Sequence, residues 1–387
     1  MSEPRERALR VFRLGRVEYE DGLTLQKAFF QARKGKVVGD TLLLLEHPPV
    51  LTLGRGARGT NILASQEVLA EANLRIHETD RGGDVTYHGP GQVVGYPIVD
   101  LSPDRQDVRR YVRDLEEMMI LTCADFGLKA HRIDGWTGVW LGEKGRDARK
   151  IGAIGVHISR WITSHGFAFN VNTELSHFGF IVPCGISQAE GGVTSLQQEL
   201  GAPQSMVEVE DRLMHHLGAR LNAKLVPGRP DRRTISVAIL RHGRTGLEAL
   251  IMRRHHHRGG FWQQVTGTIE RGETPEQCAV RELGEEAGFE AEVRPLGYTH
   301  CFAFGEPRPD RQPRIFEETA FWCMVGQGLN PKLDHREHAA LPELAPRWIT
   351  SPIRIVSSLL PSKPSVTTPS SNGSDRRSPI RSTRAPT

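Results

Sequence analysis

Between Arg81 and Tyr96 the chain reads RGGDVTYHGPGQVVGY, and few folds can house such a segment. Gly82, Gly83, Gly89 and Gly91 open backbone conformations closed to other residues and let the main chain approach a ligand closely. Arg81, Thr86, Tyr87, His88 and Gln92 aim donors and acceptors into the same gap. The apolar run Val93 to Val99, interrupted by Gly95 and Pro97, reads as a strand that anchors the loop. A glycine-rich turn between two strands explains any one of these residues, but not the whole string.

A length of 387 residues leaves room for two or three domains, each with its own core. The five cysteines, Cys123, Cys184, Cys278, Cys301 and Cys323, form no CxxC pair, which suits a reducing cytosol better than a disulfide framework. The N-terminus is charged and lacks an apolar stretch of signal length, and no run approaches the roughly 18 apolar residues of a membrane span. The expectation is a soluble, cytoplasmic protein with no membrane partner. The net charge of +4 misleads, because six basic residues and one acid lie beyond Thr350 and leave the body at −1. That body carries no nucleic-acid footprint, and no nucleic-acid partner is expected.

Periodicity predicts helices over Asp21–Lys34, Val108–Phe126, Val207–Leu221 and Pro275–Ala287. Short strands are expected at Thr41–Leu45 and Val50–Leu53, and further strands within Leu128–Leu141 and Lys150–Asn170, joined by a charged loop from Gly142 to Arg149. The Pro-Gly-Arg-Pro-Asp stretch from Pro227 reads as a linker. Strands Thr234–Leu240 and Leu247–Arg253 then restart the pattern, followed by strand-like stretches at Val293–Phe304 and Arg314–Val325. Beyond Trp348 the chain turns to Ser, Thr, Pro and Arg, a composition expected to be disordered.

The motif Arg-Gly-Gly, two residues, Thr-Tyr-His, then Gly-Gln and a Tyr four residues on resembles the signature of the lipoate-protein octanoyltransferases. The similarity runs from about Val11 to Leu225 and implies a biotin/lipoate ligase-like fold. Two more elements match. Cys184, in Val-Pro-Cys-Gly-Ile, and Lys150, opening Lys-Ile-Gly-Ala-Ile-Gly-Val, correspond to the cysteine and lysine that share the family's site. The resemblance also places Arg81, Gly82, Gly83, Asp84, Val85, Thr86, Tyr87 and His88 against the substrate. Ala153, Ile154 and Gly155, with Gly166, Phe167 and Ala168, then line a narrow acyl slot.

That pair suits the implied reaction. Thiolate attack on a thioester is nearly isoenergetic and needs no ATP, and attack by a lysine amine then gives an amide, downhill. A nearby ammonium lowers a thiol's pKa from about 8.5 toward neutrality. Lys150 can supply that charge and then accept a proton from the incoming amine. His88 can orient the lysine or the acyl carbonyl, or serve the structure alone. No cofactor is implied for this step. The implied partners are octanoyl-acyl carrier protein and the lipoyl domains of 2-oxoacid dehydrogenases and the glycine cleavage H protein. Lys144, Arg146, Arg149, Arg109 and Arg110 can meet their acidic faces or simply be solvated. The rival on the same fold is an ATP-dependent lipoate ligase with a non-catalytic Nudix-type module; a non-catalytic lipoyl carrier has no use for the Lys150–Cys184 pair.

Farther on, Gly267, five residues, Glu273, seven residues, Arg-Glu-Leu from Arg281, then Glu285-Glu286 and Gly288 resembles the Nudix box with no position missing. Glu282, Glu285 and Glu286 sit at i, i+3 and i+4, on one helical face. Three like charges there call for a divalent cation, and hard oxygen ligands suit Mg²⁺ or Mn²⁺. Glu285 and Glu286 are the expected metal ligands; Glu282 is a ligand or the base for the attacking water. Arg281 is expected to pair with Glu273, and the Thr266-Gly267 backbone can add a carbonyl. The implied substrate is a small molecule linked to a nucleoside diphosphate. The flanks look closest to enzymes hydrolysing dihydroneopterin triphosphate. Glu337 and the His255-His256-His257 run are further candidates for metal.

The expected organisation is therefore α/β (α+β). A biotin/lipoate ligase-like transferase domain (8–226) is joined by a linker (227–233) to a Nudix α/β/α sandwich (234–350), with a disordered tail (351–387).

Overall fold

In the computed structural model, the described residues are 7–57, 59–145, 147–182, 191–244, 246–253, 262–303, 307–332 and 346–350. The chain opens with β1 (Arg7–Arg16), α1 (Tyr19–Lys34), β2 (Asp40–Glu46) and β3 (Val50–Leu53). Next come α2 (Gln66–Glu71), β4 (Arg75–Glu78), β5 (Val85–His88), β6 (Gln92–Ile98) and α3 (Val108–Asp125). Two hairpins follow, β7 (His131–Ile133) with β8 (Trp136–Leu141), and β9 (Arg149–Ser159) with β10 (Ile162–Asn170). The first half closes with β11 (Gly192–Val193), α4 (Leu196–Leu200), α5 (Met206–Leu221) and β12 (Ala223–Pro227).

These strands form a sheet in the order β12-β1-β2-β6-β10-β9-β8-β7, with β11 added beside β9, and a small sheet β4-β3-β5. The pairs β1–β2 and β1–β12 are parallel, and the run from β2 to β7 is antiparallel. β2 reads as an unbroken apolar run because both its faces are covered. Leu42 and Leu44 join the core under α3 and α5, while Leu43 and Leu45 join the core under α1. Asp107 caps α3 by accepting from the Arg110 amide, and Ser205 caps α5 in the same way on Glu208.

The second half begins only four residues after β12, with β13 (Arg232–His242) and β14 (Leu247–Arg253). It continues through β15 (Trp262–Gln263), β16 (Val265–Thr268), α6 (Pro275–Ala287), β17 (Arg294–Ala303), β18 (Ile315–Met324) and β19 (Arg347–Thr350). Its sheet runs β15-β14-β13-β18-β17, with β16 on β13 and β19 on β14. Thr274 and Gln277 close a capping box at the start of α6, and Gly288, left-handed at φ 68, ends it. Cys278, Ala279, Leu283 and Ala287 on α6 pack with Ile235, Val237, Phe321 and Cys323 of the sheet. The tail from residue 351 lies outside the described residues, as do Glu337 and His255 to His257.

The two halves share one core cluster. Cys301 and Ile315, at the β17–β18 edge, are buried with Phe12, Leu14, Leu25 and Phe29 of β1 and α1. His300 reaches Asp21 at 3.1 Å, and a Cβ on Gly35 would overlap the Pro309 carbonyl. The connection is pinned on both sides: the Gly228 amide donates to Val11 O and the Asp231 amide to Ile315 O. Among the described residues no helix is long and apolar enough to cross a membrane.

Candidate active site

Six of the expected slot residues are three consecutive cross-strand pairs of one hairpin. Gly155 faces Gly166, Ile154 faces Phe167 and Ala153 faces Ala168 across β9 and β10. All six line one pocket that opens to the surface. The Arg-Gly-Gly turn lies directly on this hairpin, with the Gly82 amide donating to Val156 O at 3.0 Å. A Cβ on Gly155 would stand 2.9 Å from Gly82 O, so that contact requires glycine.

The other wall alternates. Residues 85–88 are not loop, as expected, but strand β5 paired to β3. Thr86 and His88 therefore face the cavity with Arg81, Gly83 and Asp84, whereas Val85 and Tyr87 are fully buried in the small sheet's own core. Arg81 donates to Thr52 O at 2.7 Å and to Thr52 Oγ1 at 2.9 Å, so its guanidinium braces the turn against β3. Tyr19, Val94, Tyr96 and His165 complete the lining. Sequence reasoning left all four out of the site, although Val94 and Tyr96 both lie within the glycine-rich motif.

These additions bring histidines and tyrosines together. Gln92 directs its amide NH₂ to Tyr87 O and Asn170 Oδ1, so its oxygen accepts from His88 Nδ1 at 2.7 Å. That fixes the proton on Nδ1 and leaves Nε2 as an acceptor. Burial, helped by nearby His47, pushes the His88 pKa down to about 3. His47 donates through Nδ1 to Val17 O at 2.6 Å and accepts from the Tyr96 hydroxyl at 2.7 Å; burial lowers its pKa to about 4. His165 has a left-handed backbone, φ 55, held by the Gln26 side chain on its amide and by Asp80 on its ring at 2.8 Å each. Burial opposes the charge on Asp80, but His165 and His157 outweigh it and hold its pKa low.

Lys150 opens the same strand and is only 6% exposed. Among the described residues no carboxylate lies within ion-pair distance of it; its Nζ sits 4.6 Å from the Trp140 ring centroid. A relay joins it to the slot: Asn170 Nδ2 donates to Thr194 O and the Thr194 amide to Lys150 O, both at 2.9 Å. Cys184 lies outside the described residues. The chain enters that stretch at Val182, whose amide bonds Asn61 O, and returns at β11, paired with Arg149 and Lys150. Of the basic candidates, Arg149 is bidentate to Glu199 and Lys144 donates to Asp134 O, whereas Arg109 and Arg110 are exposed on α3. Arg146 is outside the described residues.

In the second half, Arg281 grips Glu273 through two hydrogen bonds of 2.9 and 3.1 Å, as the spacing predicts. Its remaining nitrogen donates to Glu282 at 2.7 Å and Glu285 at 3.1 Å. Glu286 accepts from the Thr266 amide at 3.3 Å. Burial, with Glu286 and Glu285 near and Arg281 opposing, raises the Glu282 pKa. Among the described residues no three His, Cys, Asp or Glu side chains converge as they would on an ion. A Cβ on Gly267 would overlap the Glu282 side chain, so the glycine makes a cradle for that carboxylate.

Comparison with known proteins follows the same division. A family model described as the lipoyl protein ligase A/B catalytic domain matches residues 18–218, and one for the NUDIX domain matches residues 230–352. An octanoyltransferase of Myxococcus xanthus is 50% identical over 343 residues, covering 88% of this chain and 93% of the relative. So long an alignment must run into the second half as well. An octanoyltransferase of Solibacter usitatus is 49% identical over 215 residues, 56% of this chain and 94% of the relative. A solved bipartite lipoate protein ligase from Thermoplasma acidophilum aligns at 15% identity and TM-score 0.46, covering 58% of this chain and 87% of that one. The chain belongs to the lipoyl protein ligase A/B catalytic family, among its octanoyltransferases, and carries a NUDIX domain behind the transferase.

Proposed function

We infer that the first half moves an octanoyl group from acyl carrier protein to a lysine of a lipoyl domain through a thioester on Cys184. The observation that carries this reading is Lys150: an amine buried at the end of the slot strand, without a carboxylate partner among the described residues, and paired to the strand that leads back from Cys184. A lysine is seldom buried without a carboxylate unless the site uses its charge. The Cys184 thiolate attacks the thioester carbonyl; the pantetheine C–S bond breaks, and the carrier leaves as a thiol with a proton from Lys150. The acceptor amine then forms a C–N bond, the Cys184 sulfur leaves, and Lys150 takes the amine's proton. The Ala153–Gly155 and Gly166–Ala168 pairs hold the acyl chain, and neutral His88 offers Nε2 as an acceptor beside it.

Intact-mass analysis after mixing with octanoyl carrier protein, without ATP, should show one octanoyl adduct that discharges onto an added apo lipoyl domain. Cys184→Ser should fold and show none. A normal adduct on that variant, or transfer that requires ATP, would overturn the assignment.

For the second half the donor set fits a hard cation: three carboxylates on one helical face, one of them cradled by Gly267. Glu282, Glu285 and Glu286 would hold Mg²⁺ or Mn²⁺, releasing Arg281 from two of them. The bound ion would polarise a nucleoside-linked diphosphate and ease deprotonation of water. Glu282 serves as a ligand or as the base for the attacking water, and the Gly267 cradle fixes its carboxylate beside Glu285 and Glu286. With Mg²⁺ present, Glu285→Gln and Glu286→Gln should each lower phosphate or pyrophosphate release at least tenfold. Equal release from all three proteins would remove the hydrolase reading.

A further inference from the structure

We propose that Trp140 is the positioning residue for Lys150: its ring face, presented across the β8–β9 pair, holds and aims the ammonium. This rests on the transferase reading for its consequence in catalysis, but the contact itself does not. Trp140 lies directly opposite Lys150 in the ladder, and the next pair is Val139 with Gly152. Ile151 is thus an extra residue, a bulge, and bulges near active sites re-aim side chains. Ile151 drops into the core under α3, 0% exposed, while Lys150 stays on the Trp140 face.

Two anomalies meet at this contact. Among the described residues Lys150 is buried without a carboxylate partner, and Trp140, 1% exposed, has an indole N–H without a hydrogen-bond acceptor. Buried tryptophans usually satisfy that donor, so Trp140 is not held here by its polar edge. Its π face is what the ammonium meets, at 4.6 Å, within the roughly 6 Å reach of a cation–π contact. The surroundings keep the face in place. Trp136 packs on Trp140 with centroids 5.0 Å apart, and Lys144 covers Trp136 at 5.3 Å. Gly138, left-handed at φ 119, lets β8 close against β9 beside this pair: a Cβ there would stand 2.6 Å from Gly152 O.

The test compares full-length wild type with Trp140→Phe, which keeps an aromatic face without the N–H, and Trp140→Met, which fills the space without a ring. One readout is the rate at which an amine-acetylating reagent labels Lys150 at pH 7, followed on its peptide by mass spectrometry. Trp140→Met should label at least threefold faster, and Trp140→Phe within twofold of wild type. The other is octanoyl transfer: kcat should fall about tenfold in Trp140→Met and under threefold in Trp140→Phe, with KM for octanoyl carrier protein unchanged in both. Should Trp140→Met fail to fold, Trp136→Leu keeps the ring but loosens it, and should raise labelling about twofold. Wild-type labelling and kcat in a folded Trp140→Met, a Trp140→Phe as impaired as Trp140→Met, or no labelling change in Trp136→Leu would each overturn the proposal. Altered labelling in an enzyme that transfers no octanoyl group would instead sink the transferase reading and leave the positioning intact.

Discussion

His47 and His88 lie with ring centroids 5.8 Å apart, and both are buried as neutral imidazoles. Burial sets that form: each ring donates from Nδ1, a bond that by itself favours the charged ring, and loss of solvation outweighs it. In the unfolded chain each takes up a proton near pH 6.5, whereas in the folded protein His47 waits until about pH 4 and His88 until about pH 3. Between those values the unfolded state binds more protons, so folding stability is fully present above pH 6.5 and is lost as the pH falls. Each histidine contributes at most ~1.4 kcal/mol per pH unit over its window. Thermal denaturation from pH 7 to pH 5 should show a falling Tm. The slope should be shallower in His47→Gln, even though that variant is less stable throughout. Parallel curves for the two proteins would show that His47 titrates normally.

At the scale of elements, β5 shows how one strand serves two purposes. Tyr87 turns away from the slot, and its hydroxyl shares a hydrogen bond with His177 Nδ1 at 2.9 Å within the small sheet's core, while His88 turns toward the slot. Tyr87→Phe should therefore cost about 1 kcal/mol of stability and leave the KM for octanoyl carrier protein unchanged, whereas His88→Gln should slow transfer with little effect on Tm. A raised KM in Tyr87→Phe would place that ring against substrate after all. The sequence hides β5 because glycines on both sides signal a turn, and its partner β3 lies more than thirty residues earlier. Distance hides β1 and β12 more thoroughly. Arg7 pairs with Ala223, and the arginines of β1 interrupt its two apolar sets, Leu9 and Val11 on one face and Phe12 and Leu14 on the other. The helices were legible because their signals are local: α6 carries its cap, its Pro275 and its closing glycine within fifteen residues. The slot triplets were legible through family likeness alone, and Tyr19 and His165 were missed because only tertiary packing brings them to the cavity.

For the whole molecule the decisive element is α1, which the two halves share. One of its faces serves the slot: Tyr19 lines it, and Gln26 holds the left-handed backbone of His165. The other serves the NUDIX half through Asp21, Gly35 and the cluster around Phe29, Cys301 and Ile315. An apolar contact of this kind resists the independent domain motion expected of a short linker. The full chain should then melt in a single calorimetric transition, since neither half can leave without baring Phe12, Phe29 and Ile315 to water. Gly35→Val tests this from outside the shared cluster, because the nearest atoms a Cβ there would meet belong to the Pro309 backbone. It should split the melt into two transitions and lower octanoyl transfer severalfold as α1 loses its outer support. If Gly35→Val instead melts once, at the wild-type temperature and with wild-type transfer, the two halves are merely joined and α1 carries nothing between them.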